Sequence, residues 1–301
     1  MPRNGGGLPR LPGGRGGGFG RFGIIGVAII GALFYWFSNQ KEIPFSGRQQ
    51  FVTVPVTQEV QMGAQAYSQI LGQERIVRGT PDARAIEDIG RRLAAAAIEL
   101  EKELIAKGEM SEPLAERFDW QFALIESEQA NAFCLPGGYV AFYTGILPVA
   151  QNLDGVAIIM GHEIAHALAR HGAERMSLQQ MLQLGQIVVS VAVGDMGQSQ
   201  QQAVLGAFGL GAQVGLQLPF SRTHESEADE IGLELAVRAC FDPREAPLLW
   251  KRMAELGGGE RPPELMSTHP DPERRAQAFE QWMPAAIEAY EQRCGPLPAR
   301  G

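Results

Sequence analysis

Apolar and polar positions recur with two different periods along this chain, and the changes of period outline its elements. From Gln58 to Leu71, the residues Val60, Ala64, Tyr67 and Leu71 fall on one face at helical spacing. Asp82–Ala106, rich in Ala and Leu and opened by Pro81, predicts a second and longer helix. Trp120–Ile125 alternates as a strand does. Pro136-Gly137-Gly138 then punctuates a turn into Tyr139–Thr144, a second strand rich in aromatic residues. Asp154 is the expected N-cap of a helix running through His162–His166. Two apolar, glycine-containing stretches follow, Ile187–Val193 and Ala203–Leu216. Each is too short to span a bilayer, and both are expected to be buried or interface helices. Helices from about Glu225 to Ala236, over 241–256 and over 271–293 complete the pattern, which contains no internal repeat.

The N-terminus follows a different rule. Residues 1–21, rich in Gly, Pro and Arg, cannot build a packed core and are expected to be disordered. The uncharged run Phe22–Phe37 comes next, within a predicted transmembrane signal-anchor helix over 22–38. Its sixteen residues would extend roughly 24 Å against a hydrocarbon core of ~30 Å. No small-x-small cleavage site follows it. The arginines ahead of it favour a cytoplasmic N-terminus, with the body on the extracytoplasmic side of the inner membrane. A linker over 39–56, a main domain over 57–292 and a tail over 293–301 make up the rest.

The chemistry centres on residues 162–166, HEIAH. His162 and His166 are one helical turn apart, separated by about 40° on the helix, so both point at one metal. Glu163 lies on the edge of that face, placed to act as a general base. A hydrolytic zinc site takes three protein ligands and leaves one position open. His171 is a poor third ligand, about 140° round the helix from His166, and is expected at that helix's C-terminus. The better candidate is Glu225, in HESEADEIG. Asp229, four residues on, shares its face and is placed to accept the ring N–H of a ligand histidine, His162 being the expected donor. His224 and Glu227 point elsewhere. His269, in STHP, is expected near the metal, either stabilising the oxyanion or capping the site at rest.

Charge and cysteine content narrow the classes further. The chain carries a net charge of −8, and four arginines without an acid in residues 1–40 leave −12 on the remainder. So acidic a body does not bind nucleic acid. Cys134, Cys240 and Cys294 are far apart and exclude a cysteine-built metal site. They leave room for one bridge, Cys240 with Cys294, without deciding it.

Together, GHEIAHALARH and SRTHESEADEIG resemble the HtpX / CAAX-prenyl-protease family of gluzincin zinc metallopeptidases, and most closely its OMA-type and BepA-like single-anchor or periplasmic members. The blocks NAFCLPGGYVAFYTG and STHPDPERRAQA extend the resemblance over roughly residues 55–290. It implies an α+β, mainly α, zincin-like domain with a small β-sheet and an active-site helix. It also implies one Zn2+ per chain and endoproteolysis of membrane or envelope proteins in quality control. An edge strand that pairs with extended substrate would fall at Gly137, Gly138, Tyr139 and Val140. A chaperone-like assembly factor and a structural zinc protein are the rival classes. The base Glu163 is superfluous to the first, and a three-ligand site is unlike the closed sets of the second.

Overall fold

The computed structural model describes residues 17–213, 218–257, 269 and 271–299. Its centre is helix α5 (Leu153–Leu168), which buries nearly all of its residues because its sequence is apolar on every side. Asn152 caps it, accepting from Gly155 N at 2.8 Å. Asp154, the expected cap, instead accepts a hydrogen bond from the backbone of Asp242.

Elements pack around α5 on several sides. Helix α2 (Val56–Gln73) leads to β3 (Ile76–Val77) and helix α3 (Pro81–Lys107), which Thr80 caps with Pro at its first position. Strands β4 (Gln121–Ile125), β5 (Ala132–Leu135) and β6 (Tyr139–Tyr143) then complete a four-stranded sheet of order β3-β4-β6-β5. In that sheet β4 runs parallel to β6, and the outer pairs are antiparallel. A short helix, α4 (Leu147–Ala150), precedes α5. Beyond α5 come α6 (His171–Ala192), α7 (Gln198–Ala212), α8 (Leu218–Arg238), α9 (Glu245–Gly257) and α10 (Pro272–Cys294). The architecture is α+β and mainly α, as expected.

Helices α5 and α8 pack closely, and two glycines allow it. A Cβ on Gly161 would lie 2.7 Å from the Gly232 carbonyl oxygen, and one on Gly232 would lie 2.7 Å from His162 N. The two backbones therefore touch beside the histidines. A disulfide joins Cys240 to Cys294 and ties the end of α8 to the end of α10.

Two sequence expectations are corrected. Residues 39–56 are not a bare linker: β1 (Gln40–Glu42) and β2 (Gln49–Phe51) form an antiparallel hairpin, each strand too short for alternation to register. Residues 17–21 already belong to helix α1 (Gly17–Ser38), while 1–16 lie outside the described residues. Of the two alternatives for the apolar stretches of α6 and α7, burial and an interface, burial fails for most of their side chains. Leu184, Ile187, Val204 and Leu210 are exposed, and α7 buries no residue at all. The α1 helix likewise exposes Val27, Ile30, Phe34 and Phe37. A helix forms where the transmembrane anchor was expected, but no helix among the described residues is long and apolar enough to cross a membrane.

Candidate active site

His162, His166, Glu225 and His269 each bring one ligand atom to a common point, all within 4.8 Å of one another. The two α5 histidines approach through their Nε2 atoms, 3.0 Å apart. Glu225, from α8, reaches both, with Oε2 3.3 Å from His162 Nε2 and Oε1 3.5 Å from His166 Nε2. His269 Nδ1 lies 2.7 Å from Glu225 Oε2 and 3.1 Å from His162 Nε2. Glu163 borders the group, its Oε1 3.4 Å from His269 Nε2.

This donor set fits a zinc ion. Imidazole nitrogens with one carboxylate are the ligands zinc takes in hydrolases. Glu225 Oε1 is buried and makes no hydrogen bond among the described residues, which leaves a lone pair aimed into the cluster. The Glu225 carboxylate is held well below the usual range. Burial opposes its charge, but the three histidines outweigh burial. Burial and the Arg275 cation both disfavour a proton on His162, yet Asp229 and Glu225 overcome them and push its pKa up to about 9. Burial alone dominates at His166, whose pKa falls well below normal, and at Glu163, whose carboxyl is pushed up.

Each α5 histidine is braced from behind. His162 Nδ1 lies 3.0 Å from Asp229 Oδ1, the partner anticipated from sequence. Asp229 is itself held by Arg275 of α10, whose Nε donates at 2.7 Å and whose Nη2 donates to Oδ1. Arg275 also donates from Nη1 to Glu225 at 3.1 Å and lies over the Trp250 ring. That cation holds the buried Asp229 below the usual carboxylate range against the opposing effect of burial. Arg275 was missed as a site residue. The only hint was a basic pair at the start of an otherwise amphipathic helix.

Behind His166 the arrangement was not anticipated. Helix α5 stops at Leu168, Arg170 turns left-handed with φ 58°, and His171 opens α6 rather than closing α5. This break returns the His171 ring to His166, with the two Nδ1 atoms 2.8 Å apart. His171, His224 and Glu227 lie outside the cluster of four donors found among the described residues. All three belong to a buried polar network in which His171 Nε2 meets Glu227 at 2.8 Å and His224 Nε2 meets Glu174 at 2.8 Å.

A cleft opens beside Glu163, His166 and His269, and Cys134, Leu135 and Pro136 line its other wall. The expected edge residues lie elsewhere. Tyr139 and Val140 belong to β6, which has β4 on one side and β5 on the other, so their backbones are already paired. Gly137 and Gly138 make the preceding turn at φ 100° and 87°, where side chains would also strike Tyr139 and Trp120. The outer edge belongs to β5, which the notable aromatic content of β6 had obscured.

A catalytic helix with two histidines, a carboxylate from a crossing helix and an adjacent glutamate define a zinc metalloendopeptidase. Residues 92–283 match the family model described as Peptidase family M48. The chain belongs to that family, whose cofactor is zinc. It is 34% identical over 87% of its length to the mitochondrial metalloendopeptidase OMA1 of Schizosaccharomyces pombe, covering 72% of that protein. With the Saccharomyces cerevisiae protein of the same name it shares 33% identity over 89% of its length, covering 76% of the relative. It is 28% identical over 84% of its length to the beta-barrel assembly-enhancing protease of Escherichia coli, of which it spans 49%.

Proposed function

We propose that His162, His166 and Glu225 hold one zinc ion and that Glu163 is the general base of peptide hydrolysis on membrane or envelope proteins. The convergence of four donor atoms beside Glu163 carries this reading. When bound, zinc supplies Lewis acidity, polarising the scissile carbonyl and acidifying water at neutral pH. Glu163 takes the proton of the attacking water on a carboxylate oxygen and passes it to the leaving amine nitrogen. Asp229 and Arg275 fix the His162 ring, and the outer edge of β5 offers backbone groups to an extended substrate. His269 caps the site at rest, since its two ring nitrogens reach toward Glu225 and Glu163.

Membrane attachment through α1 belongs to the same reading, with α6 and α7 beside it. The exposed apolar side chains of the three helices support it, as does the near absence of charge: between Arg175 and Arg222, Asp195 is the only charged residue. Arginines ahead of α1 and the Cys240–Cys294 bridge favour a body on the extracytoplasmic side, where quality control of membrane proteins is the role that fits.

The test is casein cleavage by the full chain on lipid vesicles. Cleavage stops on chelation and returns with zinc, His269→Ala raises the rate, and a chain lacking residues 1–38 loses vesicle binding. Zinc bound without any cleavage, in the His269 variant as well, would favour the assembly-factor reading.

A further inference from the structure

The β1–β2 hairpin directly follows α1 and inserts two side chains, Arg48 and Ser46, into the network behind His166. Arg48 Nε donates to Glu227 Oε2 at 3.0 Å, and its two terminal nitrogens donate to the carboxylate oxygens of Glu174 at 3.0 and 2.7 Å. The Ser46 hydroxyl donates to the other oxygen of Glu227. Glu174 also accepts from the Phe51 backbone N–H at 3.3 Å. Phe51 in turn stacks on Trp36 of α1, with ring centres 4.6 Å apart. Contacts therefore run without a gap from α1 to a histidine of the metal cluster.

The direction of the hydrogen bonds gives this chain a task. A carboxylate only accepts, so the His171 Nε2 that meets Glu227 carries the hydrogen. In a singly protonated ring, His171 Nδ1 is then an acceptor, and His166 must donate to it from its own Nδ1. That fixes His166 in the tautomer whose Nε2 lone pair faces Glu225 and His162. Arg48 holds Glu227 in place and keeps its charge compensated in a buried setting.

We infer that Arg48 is a positioning residue for His166, acting through Glu227 and His171, so that docking of the hairpin next to α1 sets the metal centre. The inference rests on the zinc-site reading above. It makes the segment adjoining α1 part of the support of the metal site: a hairpin pulled off the body would release Glu227, let the His166 ring turn and weaken the hold on zinc.

The full chain is tested with Arg48→Met, Arg48→Lys and Glu227→Gln, alongside Arg238→Met, which breaks an ion pair with Glu103 away from the site. Zinc affinity is read by competition with a chelator, ligand geometry by the visible spectrum of the cobalt-loaded chain, and kcat and KM on a peptide. Removal of such supporting partners typically costs roughly 10–100-fold. Arg48→Met should therefore weaken zinc binding roughly tenfold or more and lower kcat while KM holds. Arg48→Lys should recover part of the loss, Glu227→Gln should shift the cobalt bands, and Arg238→Met should change melting temperature alone. Zinc affinity and cobalt spectra unchanged in Arg48→Met and Glu227→Gln, with a parent that binds zinc and cleaves, would overturn the inference. A parent that binds no zinc would remove the reading beneath it.

Discussion

The two histidines of α5 are braced in different ways. Behind His162 the chain of contacts is short: Asp229 lies one helical turn from Glu225 on α8, and Arg275 neutralises it. Behind His166 it is long: a second imidazole, then Glu227, then an arginine from a hairpin at the other end of the sequence. The first side is built from two neighbouring helices stapled by a disulfide. The second depends on a short hairpin staying docked. One metal site thus combines a rigid half with a half open to control from outside the core.

Breaking the rigid half should have the largest effect. Asp229→Ala leaves Arg275 buried without its main partner, and loss of one member of a buried pair costs about 3–5 kcal/mol. Chemical denaturation should show a loss of that size, and zinc affinity should fall with it. A stability change under ~1 kcal/mol would mean that Arg275 is held by Glu225 and Trp250 instead.

The disulfide separates the halves next. Cys294→Ser should lower stability by about 2–4 kcal/mol, read by thermal unfolding. It should loosen the placement of Arg275 before that of Arg48, so zinc affinity should fall less than in Asp229→Ala.

A buried acid outside both halves sharpens the comparison. Glu101, on α3, accepts from the backbone N–H groups of Leu114 and Ala115 at 2.9 and 2.7 Å. Unlike Asp229 it has no ion pair among the described residues, and burial, only partly offset by these backbone bonds, pushes its pKa up to about 7 from an ordinary 4.5. The native state therefore holds this proton more tightly than the unfolded chain does. Its stabilising contribution is complete below pH 4.5 and is lost as pH rises through 7. At ~1.4 kcal/mol per pH unit, the loss across that window is on the order of 2–3 kcal/mol. Glu101→Gln should flatten this part of the stability–pH curve, and an unchanged slope would assign it to another group.

The legible and illegible parts of the site divide along the same line. Spacing of one helical turn disclosed His162 with His166 and Glu225 with Asp229, because a helix carries i and i+4 on one face. Nothing local connects Arg48 to Glu174, 126 residues away. Nor does composition announce the left-handed Arg170 that turns His171 back onto His166. The strands of the hairpin are three residues each, below the length at which alternation can be seen. For the apolar helices α6 and α7 the sequence left burial and an interface open, since hydrophobicity reports a wish to leave water without saying what receives the side chains.

The role of Glu163 is tested by the zinc content and casein turnover of Glu163→Gln beside the parent chain. Loss of a catalytic base typically costs ~100–10,000-fold. Both proteins should carry one zinc per chain, and the variant alone should show a loss of that order. A variant that cleaves within a few-fold of the parent would contradict the role of Glu163, and with it the reading of this site as the catalytic centre.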